Sequence, residues 1–116
     1  MSRRMKLRIS AGKVNLVAEL RDTPTVQALA AALPFEASAQ TWGEEVYFST
    51  PVSVQLEPDA KQVVEPGTVC FWTEGDALAL PFGRTPISTD ERPKLASRCN
   101  VLGNIVAGAR VRVEKA

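Results

Sequence analysis

The stretch that organises this sequence reads Trp42-Gly43-Glu44-Glu45-Val46-Tyr47-Phe48-Ser49-Thr50-Pro51. It holds three of the seven aromatic residues of the chain, beside two adjacent carboxylates. Gly43 allows a bend before a strand-like run, and Pro51 ends that run. Because side chains alternate along a strand, one face is predicted to carry Glu45, Tyr47 and Ser49 and the other Glu44, Val46 and Phe48.

Two interpretations of this stretch remain open. In the simpler one, the strand has one buried face and one face in water. In the other, Trp42, Tyr47 and the carboxylates form the wall of a binding groove. The two glutamates point to opposite faces of a strand, so they do not form the acid and base pair of a glycosidase.

The composition predicts one globular domain over residues 1–116. The chain has 45% apolar and 23% charged residues, which are ordinary values for such a domain. Its net charge of +1 gives no electrostatic reason to expect a nucleic acid or an anionic membrane as partner. The uncharged runs are too short to span a membrane, and the basic N-terminus is not followed by a signal-peptide core. We therefore expect a cytoplasmic protein.

The chain contains no histidine. This excludes imidazole bases, histidine-dependent triads and nearly every familiar zinc site, and no loop clusters carboxylates as an EF-hand does. No phosphate loop, nucleophile elbow or nucleotide fingerprint is present, so we expect neither a metal nor a cofactor. Cys70 and Cys99 lie among apolar neighbours and are predicted to be small hydrophobic residues, although spacing alone leaves a disulfide open.

A hairpin and a helix are predicted in the first third of the chain. Apolar and polar residues alternate from Met5 to Ser10, and again from Val14 to Leu20 after a glycine turn. Thr23 suits the N-cap of a helix, and the following proline suits its first position. The apolar spacing then predicts a short helix between about Thr25 and Leu33, which must pack against the sheet.

The rest of the chain reads as short strands separated by turns. Alternating residues predict strands at Phe35 to Gln40 and at Val52 to Leu56, and a polar loop that is the most mobile segment is expected at Ser88 to Lys94. Two continuous apolar runs, Thr68 to Thr73 and Ala77 to Leu80, belong in the middle of a sheet. The last strands are predicted at Asn100 to Val106, where Gly103 marks a bulge or a close backbone approach, and at Arg110 to Glu114. About eight strands and one short helix predict an all-β domain, either a small barrel or a sandwich.

Four segments of the sequence are distinctive in combination: Thr41 to Glu45, Tyr47 to Pro51, Phe82 to Pro86 and Asn100 to Gly103. Together they resemble the sequences of an uncharacterised small prokaryotic family with a cyclophilin-like fold. The resemblance covers nearly the whole chain. It implies a small closed or nearly closed cyclophilin-like β-barrel of about eight strands with one short helix, more compact than a true cyclophilin.

The resemblance does not bring prolyl isomerase activity with it. A true cyclophilin carries an arginine in a Phe-His-Arg sequence on the strand after its first helix, whereas the strands that follow the helix here contain neither arginine nor histidine. The nearest substitute is Arg84, on a different element. It is the candidate catalytic residue, since an isomerase needs a fixed donor in a dry, apolar pocket.

Three functions remain open from the sequence. The preferred one is a module that binds a small molecule or a proline-containing peptide. The alternatives are an atypical prolyl isomerase that uses Arg84 and an interaction subunit that buries its aromatic residues against another protein. Phe82, Trp72 and Tyr47 are expected to lie close together at a concave site, and the oligomeric state stays open. The candidate ligand-binding residues are Trp42, Glu44, Tyr47, Phe48, Trp72, Phe82 and Thr85.

Overall fold

The computed structural model describes residues 5–11 and 14–107. The glycine turn of the first hairpin and the strand predicted at Arg110 to Glu114 lie outside these described residues. In the described part, eight strands and one helix follow in this order: β1 (Met5–Ala11), β2 (Val14–Leu20), α1 (Pro24–Ala32), β3 (Gln40–Thr41), β4 (Glu45–Ser49), β5 (Lys61–Val63), β6 (Thr68–Trp72), β7 (Ala77–Pro81) and β8 (Lys94–Ala107).

The strands form one antiparallel, strongly curled half-barrel, so the all-β prediction is confirmed. Their order across the sheet is β1-β2-β8-β6-β7-β4-β3, and β5 pairs with β8 outside this path. The long strand β8 therefore pairs with different strands along its length. Its later part lies between β2 and β6, whereas its earlier part pairs with β5 through Lys61 opposite Cys99 and Val63 opposite Lys94.

The helix forms where its sequence signals place it. The Thr23 side chain accepts a hydrogen bond of 3.2 Å from the backbone N–H of Val26, and Pro24 occupies the first turn. Val26 and Leu29 are buried against the sheet, which supplies the packing that a nine-residue helix needs in water.

Two predicted strands are absent from the described structure. Residues 36–41 are exposed, and only Gln40 and Thr41 pair with β4, because the small alanines of this segment bury too little apolar surface to hold a strand. The Val52 to Leu56 segment is also irregular. There, the buried side chain of Asn100 accepts a hydrogen bond from Glu57 N at 2.6 Å and donates one to Gln55 O at 3.0 Å, so a side chain takes the place of a neighbouring strand.

The two faces of the sheet each bury a cluster of apolar residues. The larger cluster includes Phe71, Leu78 and Leu102 and receives the helix. Because side chains alternate along a strand, Cys70 faces the other way, into a smaller cluster under β5 and the start of β8. The members of this second cluster are Val64, Cys70, Ala79, Leu95 and Cys99, with Tyr47, Trp72 and Val101 packed against it.

Both cysteines are free and buried. Burial raises the pKa of Cys99 to about 12 and raises the pKa of Cys70 further still. The thiols are therefore not nucleophiles at neutral pH, and the prediction that they act as small hydrophobic residues is confirmed.

Candidate functional site

Strand β7 separates the sequence-predicted site residues into two groups. Trp72 lies beside the start of β7, since it is paired in register with Ala77. Phe82 follows the end of β7, where Pro81 is paired with Glu45. At about 3.3 Å per residue, the strand carries Phe82 roughly 16 Å away from the Ala77 position. The predicted contact between Phe82 and Trp72 is therefore wrong, because the turn before β7 places the two aromatics at opposite strand ends.

One group forms a corner where residues 42–44 meet residues 82–86, which we call the Phe82 corner. Three hydrogen bonds tie Glu44 into it. Phe82 N donates to Glu44 O at 2.9 Å, Glu44 N donates to Arg84 O at 2.8 Å, and Arg84 N donates to a carboxylate oxygen of Glu44 at 3.0 Å. Glu44 therefore has a structural role, because its backbone and its side chain both bind the loop that contains Arg84.

Close backbone packing holds the same corner rigid. Gly43 has a φ of +60°, and a side chain there would lie 2.8 Å from Cδ of Pro86. A side chain at Gly83 would collide with the carboxylate of Glu44. The corner consequently presents Phe82, which is 56% exposed, and the exposed Arg84 on a fixed support.

Thr85 fastens the loop that follows the corner. The residue is buried, its hydroxyl donates to Lys94 O, and its N–H donates to the hydroxyl of Ser88 at 2.9 Å. The Ser88 hydroxyl also donates to Arg92 O at 2.9 Å and accepts from Lys94 N at 3.1 Å. The loop predicted to be the most mobile segment is thus bound through Ser88 at several points, and Thr85 has a structural role here.

The other predicted residues occupy different environments. Trp42 is half-buried, and its backbone N–H donates to Glu45 O at 2.9 Å. Tyr47 packs against the second cluster and donates from its hydroxyl to Gln40 at 3.1 Å. Phe48 faces the opposite side of the sheet and packs against the main core, so it shares no surface with Tyr47.

Glu45 is a buried carboxylate beside the second cluster. The residue is 7% exposed, and its Oε1 has no hydrogen-bond partner among the described residues. Burial raises the pKa of Glu45 from 4.5 to about 7. The sequence pattern placed Glu45 on a polar strand face, whereas β5 and the start of β8 cover that face.

The second group centres on an open groove beside Trp72. Its volume is about 420 Å³, and it is lined by Leu56, Gln62, Thr73, Glu74, Ala96, Ser97 and Arg98. The indole N–H of Trp72 donates to the hydroxyl of Ser97 at 2.8 Å, and this hydroxyl donates to Glu74 Oε1 at 3.3 Å. The absence of a side chain at Gly75 leaves room for the Trp72 ring, which a Cβ there would strike. A chain of hydrogen bonds therefore orients one wall of the groove.

Sequence reasoning missed most of this groove. Glu74, Ser97 and Arg98 are ordinary polar residues in a turn and at the start of a strand, and no motif marks them. They come together because β8 leaves β6 beyond the pairing of Phe71 with Asn100 and turns to β5. The one local signal was Trp72, an aromatic residue at a strand end next to a Glu-Gly turn.

Within residues 5–11 and 14–107, no group of three acidic or cysteine side chains lies close enough to hold a metal ion. No helix in this part of the chain has both the length and the apolar character that a membrane span requires.

The fold is that of a cyclophilin-like domain. The family model described as cyclophilin-like matches residues 5–116, and the chain belongs to that family. It is similar to the solution structure of a hypothetical protein from Archaeoglobus fulgidus, with 44% sequence identity and a TM-score of 0.80. That match covers 91% of this chain and 82% of the archaeal protein. A comparison with curated proteins gives no match.

Proposed function

We propose that this domain binds a small molecule or a proline-containing peptide in the groove beside Trp72. The observation that carries the proposal is the groove itself, whose polar wall is oriented by the hydrogen bonds from Trp72 to Ser97 and from Ser97 to Glu74. The groove is open to solvent, and its volume of about 420 Å³ falls within the roughly 300–1,000 Å³ range of ligand sites. Preorganised donors and acceptors reduce the entropy lost on binding.

The surroundings of Arg84 support binding over isomerase catalysis. The chain has no other arginine between Arg21 and Arg84. Arg84 is exposed at the Phe82 corner, and a donor in water stabilises a reacting amide far less than one in a dry pocket. The groove and Arg84 also lie toward opposite ends of β7, so a peptide held beside Trp72 is distant from the guanidinium.

Tryptophan fluorescence tests the proposal, because the two tryptophans report on different places. Trp42→Phe leaves Trp72 as the reporter beside the groove, and Trp72→Phe leaves Trp42 at the Phe82 corner. We expect saturable fluorescence changes in Trp42→Phe on titration with alanyl-proline or with a doubly blocked proline-containing tetrapeptide. A response only in Trp72→Phe would move binding to the corner, and no saturable response in either variant would contradict the proposal.

A second candidate function, association with another protein, is favoured by the Phe82 corner. A Phe ring that is 56% exposed on a rigid support resembles the aromatic anchors of protein interfaces. Pull-down with the intact domain and with Phe82→Ala tests this candidate, since a specific partner must depend on the ring.

A further inference from the structure

The groove beside Trp72 is lined by one acidic and one basic side chain, which come from different elements of the fold. Glu74 comes from the turn between β6 and β7, and Arg98 comes from the early part of β8. Although both line the same groove, no ion pair within 4.0 Å joins them in the described part of the chain. The two charges are thus presented to the groove separately.

Each charge keeps unused hydrogen-bonding capacity. Glu74 accepts the Ser97 hydroxyl at Oε1, and Oε2 has no partner among the described residues. Arg98 donates from Nε to Ala60 O at 3.4 Å, and its two terminal nitrogens have no acceptor among the residues that the structure describes. The carboxylate of Glu74 can therefore accept hydrogen bonds from a ligand ammonium group, and the guanidinium of Arg98 can donate to a ligand carboxylate.

On the basis of the binding role proposed above, we infer that the groove takes a zwitterionic ligand of the amino-acid or short-peptide class. Its ammonium group pairs with Glu74 and its carboxylate pairs with Arg98. A ligand with only one of these charges leaves the other groove charge without a partner, which lowers affinity and gives selectivity.

The remaining wall of the groove sets the size and polarity of that ligand. Leu56 is 45% exposed there and, with Ala96, offers apolar contact for an aliphatic or prolyl side chain. Gln62 is already engaged, since its amide donates to Leu95 O at 2.9 Å, so it contributes a fixed polar surface. Because Glu74 and Arg98 line one groove of only about 420 Å³, a ligand whose two charges lie close together fits it better than a long chain whose ends are far apart.

Isothermal titration calorimetry with four matched peptides tests the inference. Alanyl-proline carries both charges, its N-acetyl form lacks the ammonium, its C-terminal amide lacks the carboxylate, and the doubly blocked form lacks both. We expect alanyl-proline to bind about tenfold more tightly than either singly blocked form, because each loses one charge-assisted hydrogen bond at a partly exposed site. We also expect added NaCl to weaken alanyl-proline and leave the doubly blocked peptide nearly unchanged.

Two variants assign each charge to its partner. Glu74→Gln is expected to abolish the preference over the N-acetyl peptide while keeping the preference over the amide, and Arg98→Gln is expected to do the reverse. Glu91→Gln and Arg8→Gln are exposed, charge-matched controls outside the groove and should bind like the parent protein. Both groove side chains are exposed, so thermal melting should show that the variants fold.

The outcomes separate this inference from the binding role. If the four peptides bind equally, or if the preferences survive both variants, the zwitterion inference is overturned and the binding role stands. If a free tetrapeptide binds as tightly as alanyl-proline, the two ends are recognised independently and the short-ligand assignment fails. If none of the peptides binds, the inference fails together with the peptide part of the proposed function.

Discussion

Removing the buried charge of Glu45 should change how the stability of this protein depends on pH. The residue is 7% exposed, its Oε1 lacks a partner among the described residues, and burial raises the pKa of its carboxyl from 4.5 to about 7. Between these two values the folded protein keeps a proton that the unfolded chain has released. Stability is therefore lost as pH rises from about 4.5 to 7 and levels off above that range.

The size of this effect follows from the shift. A change of one pKa unit corresponds to about 1.4 kcal/mol, so the full shift would lower the stability by about 3 kcal/mol between low and high pH. Because the site can relax and admit water, we expect a loss of about 2 kcal/mol. Glu45→Gln imitates the protonated form. The free energy of unfolding of the variant minus that of the parent protein should therefore be about 2 kcal/mol greater at pH 8 than at pH 4.

Urea unfolding of both proteins at several pH values between 4 and 8 measures this difference. Glu36→Gln, which neutralises an exposed carboxyl outside the sheet, serves as the control for the change in net charge. If the stability difference between Glu45→Gln and the parent stays constant over this range, Glu45 ionises freely in the folded protein and the reasoning is wrong.

Three further predictions follow from the placement of single residues. Phe82→Ala should cost less than about 1 kcal/mol of stability, because the ring is 56% exposed, whereas a core phenylalanine would cost about 3–5 kcal/mol in a denaturation curve. Gly103→Ala should cost about 3 kcal/mol of stability, because its Cβ would strike the backbone oxygen of Glu19. Gly67→Ala tests a different effect, since the space around Gly67 is open and only its φ of +88° opposes a side chain, at a cost of about 1–2 kcal/mol. Arg84→Ala should not change the rate of any weak prolyl isomerisation in a protease-coupled assay. If the parent protein is a robust isomerase and the folded variant is not, Arg84 is catalytic and this prediction is wrong.

The parts of the fold that were predictable are those fixed by local chemistry. Thr23 and Pro24 mark the helix start in the sequence and occupy those positions in the structure. The apolar runs around Phe71 and Leu78 predicted central strands because both of their faces are buried. Gly103 was predicted to mark a bulge or a close approach, and it lies against β2 beside a register shift between β6 and β8.

The candidate site was not predictable in the same way, because long-range geometry creates it. Alternation correctly placed Tyr47 opposite Phe48, yet it could not show that β5 covers the Tyr47 face. Nor does any local pattern show that β8 changes partners near Cys99 and so brings Ser97 to Trp72. The sequence identified aromatic residues as candidates, whereas the polar residues that complete the groove have no distinguishing signal of their own.

The most direct test of the binding role is an NMR titration of the amide-labelled domain with alanyl-proline. The account predicts saturable shifts for the amides of Thr73, Glu74, Ser97 and Arg98, with Phe82 unaffected at the far end of β7. Shifts confined to the Phe82 corner, or none that saturate, would contradict the assignment of the groove beside Trp72 as the binding site.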